Sequence, residues 1–126
     1  MASIMGLHLQ YRLWIAELNA DINALRIFDD YLAEIALKNN TDNVVNHIKD
    51  YKEQFLSLRS KIDDLKHEMH INKMALAAVA KKANPSLRNI QRDLKHAELK
   101  KLYKLFRKTF DKTKRSFQKF ESRLMK

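Results

Sequence analysis

A chain of 126 residues, 45% hydrophobic and 32% charged, has the composition of one folded domain and not of a disordered or membrane-embedded chain. With one Gly and one Pro it lacks the turn residues that strand folds need, and with no Cys it has no disulfide framework, thiolate nucleophile or thiolate metal site. Its net charge of +10 is confined to one segment: residues 1–85 hold 11 Lys+Arg against 11 Asp+Glu, residues 86–126 hold 14 against 4.

The first six residues, Met-Ala-Ser-Ile-Met-Gly, carry no basic stretch followed by an apolar run, so no secretory signal is expected. No apolar run approaches the roughly 18 to 20 residues of a membrane span. A cytoplasmic protein without a membrane span is the expectation. A first helix is predicted from about Ser3 to Asn39, with Tyr11, Ile15, Leu18, Ile22, Leu25, Phe28, Leu32 and Ile35 as its apolar stripe and one spacing defect near Leu25. It should stop at Lys38-Asn-Asn-Thr-Asp42, where Asn can take the left-handed conformation that ends a helix and Thr41 or Asp42 can cap the next.

The second helix, about Asp42 to Ala83, has the clearest pattern. Ile48, Tyr51, Phe55, Leu58, Ile62, Leu65, Met69, Asn72, Leu76, Val79 and Ala83 follow an unbroken alternation of three and four, the spacing of a coiled-coil seam with one polar member. A lone seam Asn often sets register or oligomer state; Asn72 either takes that role or faces solvent where the seam frays. Ile71, Met74, Ala75 and Ala78 lie off this seam and suggest a second packed surface. Self-association, with a dimer favoured, is the preferred reading of Ile71, Asn72, Met74, Ala75 and Ala78; the competing one is contact with the Leu7 to Ile15 end of the first helix.

At Asn84-Pro85-Ser86, Asn can cap a helix whose first residue is Pro, where the missing N–H is no loss. The third helix, about Pro85 to Lys126, shows Leu99, Leu102, Phe106, Phe110, Thr113, Phe117, Phe120 and Leu124 within one arc. Short connections make neighbouring helices antiparallel. The expected fold is therefore all-α, a single domain over residues 1–126: an elongated up-down-up three-helix bundle with coiled-coil-like packing, each helix on the order of 55 to 60 Å long.

Candidate chemistry is sparse. His67-Glu-Met-His70 and the repeated Asp64-Leu-Lys-His67 and Asp93-Leu-Lys-His96 resemble ligand spacings, but the seam phase puts Asp64, His67 and His70 on the outside of the second helix. The two His of His67-Glu-Met-His70 are three apart, not the four of the metalloprotease helix. The only Gly is Gly6, so no glycine-rich phosphate loop exists, and no strained elbow exposes a serine. No catalytic residue, cofactor, metal or small-molecule substrate is expected.

The third helix carries the remaining lead. Lys100, Lys101, Lys104, Arg107, Lys108, Lys112, Lys114, Arg115, Lys119 and Arg123 form a cationic face suited to nucleic acid, an acidic protein or another polyanion. The aromatics fall on the apolar arc rather than among the lysines, and lysine outnumbers arginine, so diffuse electrostatic contact is favoured over base stacking or bidentate readout. The expected function is a non-enzymatic interaction or scaffold module that self-associates, with polyanion binding by this face as the alternative.

Overall fold

The computed structural model contains three helices, α1 (Ile4–Lys38), α2 (Asp42–Ala80) and α3 (Ser86–Leu124). It describes residues 4–80 and 86–124, with side-chain surroundings for 5–76 and 95–124. The expected cap at Asn84 and Pro85 lies outside the described residues, as do the side chains of Ala78, Val79 and Ala83.

The end of α1 is made differently from the expectation. No described non-Gly residue has a positive φ, so no Asn there adopts the left-handed conformation. Instead the Asn39 backbone N–H and its side-chain amide both donate to the Ile35 carbonyl, at 3.0 and 3.1 Å. The side chain thus adds a second donor to a last-turn carbonyl that already accepts a backbone bond, and the helix ends without a left-handed residue. On the other side of the turn the Thr41 carbonyl accepts from Val45 N–H at 2.9 Å, which makes Thr41 the residue preceding the first turn of α2. Asp42 then places a carboxylate in that first turn, where the helix dipole favours it.

Burial shows three unbroken seams. On α2, Val44, Ile48, Tyr51, Phe55, Leu58, Ile62, Leu65, Met69 and Leu76 are buried and Asn72 is half-buried, as the alternation of three and four requires. On α1 the same alternation runs through Leu7, Tyr11, Trp14, Leu18, Asp21, Leu25, Phe28, Leu32 and Ile35. The spacing defect near Leu25 is removed because Asp21, 7% exposed, takes the place assigned to Ile22, which is only half-buried, and because the half-buried Trp14 continues the alternation beside the buried Ile15. On α3 the seam is Leu99, Tyr103, Phe106, Phe110, Thr113, Phe117, Phe120 and Leu124. Tyr103 is 6% exposed and Leu102 45%, so the seam place given to Leu102 belongs to its neighbour.

Cross-helix partners give the course of the chain. Tyr11 meets His96, Asp21 meets Arg107 and Phe28 meets Phe117, so α1 and α3 ascend together. Tyr51 bonds Ser116 whereas Glu68 pairs with Lys95, so α2 descends beside α3. These pairings are compatible with the up-down-up path. The buried apolar side chains join into one continuous elongated cluster, richest in rings near the α1–α2 turn, where Phe28, Tyr51, Phe55, Phe117 and Phe120 lie with centroids 5.1 to 6.5 Å apart.

Candidate functional site

The polar centre of the bundle is built around Arg107. Its Nη1 and Nη2 donate to Asp21 Oδ1 and Oδ2 at 3.1 and 2.6 Å, a bidentate pair between helices 86 positions apart in sequence. Nη2 also donates to the Tyr103 hydroxyl at 3.3 Å, and Nε lies 2.9 Å from Glu17 Oε1 without the alignment of a hydrogen bond. The guanidinium carbon sits 5.5 to 5.7 Å from the ring centroids of Tyr103, Phe106 and Phe110. Burial raises the Asp21 carboxyl above its ordinary value despite the opposing hydrogen bond and charge of Arg107. Burial, with the hydrogen bond to Glu17, pushes the Tyr103 phenol up to about 12, so it stays neutral. Burial works against the Arg107 charge, but its hydrogen bonds to Asp21 and Tyr103 outweigh that and hold it protonated.

Arg107 therefore does not belong to the cationic face. Its side chain is 22% exposed and turned toward α1. The sequence pattern missed this because Arg107 lies at the flank of α3, where a long side chain can go either to water or across to a neighbour. The one available signal was Asp21, a carboxylate at a heptad position of α1. Nearer the other end, Trp14 stacks on His96 and Tyr103 at 5.8 and 4.8 Å between centroids, and the Tyr11 hydroxyl lies 3.0 Å from His96 Nδ1. His96 thus serves a packed aromatic layer.

The other nine cations of the predicted face are exposed: Lys100, Lys101, Lys104, Lys108, Lys112, Lys114, Arg115, Lys119 and Arg123. Lys101, Lys104, Lys108, Lys112, Arg115, Lys119 and Arg123 follow one another by three or four residues and form a ridge of about 33 Å on the side of α3 opposite Phe106, Phe110 and Phe117. None of the nine is ion-paired with a carboxylate among the described residues, whose cross-helix ion pairs are Lys95–Glu68 and those of Arg107. Arg115 Nε donates to the Asp111 carbonyl at 3.3 Å.

Of the predicted apolar surface on α2, Ile71 is 42% and Met74 67% exposed, and Ala75 is exposed as well. The alternative in which the start of α1 covers this surface is thereby overturned: Leu7, Tyr11 and Ile15 turn into the core instead. Asp64, His67 and His70 are exposed, and no group of three His, Cys, Asp or Glu residues converges among the described residues. Among those residues no helix is long and apolar enough to cross a membrane. Leu102 and Leu105, 45% and 62% exposed, line a groove of about 380 Å³ together with Leu65 and Phe106 between α2 and α3. No known protein family, curated protein or solved structure matches the chain.

Proposed function

We propose that this chain is a non-enzymatic helical interaction module that assembles with itself, its platform being an up-down-up bundle with coiled-coil-like packing. The observation that carries this reading is the apolar surface on the outer side of α2, where Ile71 and Met74 are 42% and 67% exposed beside Ala75. A flexible Met flanked by alanines suits a helix-to-helix contact, since small side chains let backbones approach and Met fills what remains. Asn72 at the edge of the adjoining seam then restricts register. Sedimentation of the full chain should show a dimer; a strict monomer at high concentration would remove the proposal. Met74→Glu, at a position already in water, should weaken that dimer without unfolding the bundle.

A second reading rests on the nine exposed cations of α3 that have no carboxylate partner among the described residues. A surface with that much uncompensated charge attracts nucleic acid or another polyanion through counterion release, with affinity falling steeply as salt rises. The aromatics cannot add stacking, because Phe106, Phe110, Phe117 and Phe120 are at most 5% exposed. Heparin or duplex DNA titrated across a salt series tests it. Reversing Lys104, Lys108 and Lys112 to Glu should abolish binding while helix content stays unchanged, and binding that survives the reversal would refute it.

A further inference from the structure

A longer apolar surface runs along α1 on the side its core seam does not use. Met5, Leu9 and Leu13 are 84%, 57% and 60% exposed, Ile27 and Tyr31 are 42% and 43% exposed, and Ala16 and Ala20 between them are exposed too. Successive members are separated by one helical turn, apart from the half-buried Ala24 that fills the step from Ala20 to Ile27. The core seam of α1 accounts for none of these residues.

The order of side chains along this stripe reads nearly alike from either end. Met5 and Tyr31, Leu9 and Ile27, and Ala16 and Ala20 are each centred on the level of Leu18, while Leu13 and Ala24 fall against the exposed Asn23 and Arg12. Large groups stand at both ends and alanines at the middle. Two copies of α1 laid antiparallel would set Met5 against Tyr31 and Leu9 against Ile27 twice over, with the helices approaching closely at the alanines. An isologous contact about a two-fold axis requires that kind of self-complementary order.

Charge and exposure favour a second copy as the occupant. Helix α1 has 3 Lys+Arg against 5 Asp+Glu, so two copies meeting through α1 bring together helices of low net charge and not the cationic α3. The cationic ridge is on a different helix, and three helices around one core turn their outer faces roughly 120° apart, which keeps the two ridges away from such a contact. Five large apolar side chains, 42% to 84% exposed along one face, form a contiguous apolar surface rather than scattered exposed residues, and pairing two copies would take them out of water together.

The geometry points to the outer face of α1 as an antiparallel two-fold dimer contact whose axis passes near Leu18. This rests on the self-association reading and adds a second contact to the one at Ile71 and Met74, so that Met74→Glu should leave cross-linking through α1 intact. The chain contains no Cys, so introduced ones report contact directly. Leu9 and Ile27 lie about 27 Å apart along one helix, too far to join within a chain. Under mild oxidation of the full chain, Leu9→Cys together with Ile27→Cys should give a covalent dimer, and neither single variant should. Leu9→Glu with Leu13→Glu should raise the dimer dissociation constant at least about tenfold with helix content unchanged. Linking by Leu9→Cys alone would mean a parallel contact and overturn the antiparallel axis. A wild-type dimer that neither links nor responds to the Glu variant overturns this contact while leaving self-association intact. A wild-type monomer removes both.

Discussion

Replacing Arg107 with Met exposes how the polar centre holds α1 to α3. The substitution keeps an unbranched chain over Tyr103, Phe106 and Phe110 but deletes every donor that Asp21 receives from Arg107, and Asp21 is 7% exposed. Removing one partner of a buried pair costs about 3 to 5 kcal/mol when the survivor is fully enclosed. Arg107 is itself 22% exposed, and water entering the vacated place relieves part of the strain, so about 2 to 4 kcal/mol is expected. For a chain of this size that lowers the melting temperature by about 10 °C. The pH dependence is the sharper test. Burial already raises the Asp21 pKa above its ordinary 3.8, so the carboxyl contributes stability in its protonated form below that value and loses it as pH rises through the folded pKa. Without Arg107 the only large opposing influence is gone and the folded pKa rises further. The deficit of the variant should therefore be greatest near neutrality and shrink as pH falls toward about 4. Urea unfolding of both proteins at several pH values measures it. Asp21→Leu added to Arg107→Met should restore most of the loss at neutral pH, because no buried charge then remains unpaired. A loss below about 0.5 kcal/mol at pH 7, or a deficit that grows in acid, would refute the argument.

Three further outcomes follow from burial and bonding. Tyr103→Ala should cost about 3 kcal/mol and Leu102→Ser under about 1 kcal/mol in urea unfolding, since the first empties a seam place and the second changes a half-solvated one; the reverse order would restore Leu102 to the core. Phe117→Ala, which removes a 2% exposed ring from the cluster with Phe28, Tyr51 and Phe55, should cost about 3 to 5 kcal/mol in the same measurement. Tyr51→Phe deletes the 2.7 Å bond to Ser116 and keeps the ring, so the urea midpoint should fall by the equivalent of about 1 kcal/mol with an unchanged slope.

The two residues misplaced by periodicity are adjacent to the ones that replace them, and both cases have the same cause. Ile22 outranks Asp21, and Leu102 outranks Tyr103, on any scale of apolarity. Neighbours on a helix differ by 100° in direction, so at the margin of a seam both fall within one broad apolar arc. A strict alternation of three and four over α3 selects Tyr103, whereas on α1 Tyr11, Ile15, Leu18, Ile22 and Leu25 already alternate strictly, so spacing alone does not select Asp21. A carboxylate at a core position is acceptable only if something pairs it, and that partner is Arg107, 86 positions away.

The number of helices, the turn at residues 39–41 and the seam of α2 were determined by sequence alone, because backbone geometry imposes a local period and breaks in it are local too. The cationic face was equally legible, since charge on the outer side of a helix needs no partner to be there. The tertiary structure alone decided that Arg107 leaves that face, that Ile71 and Met74 are uncovered by α1, and that α1 itself keeps a second apolar stripe in water. Each of these depends on what a different helix places opposite a side chain, and periodicity along one helix carries no information about the groups facing it.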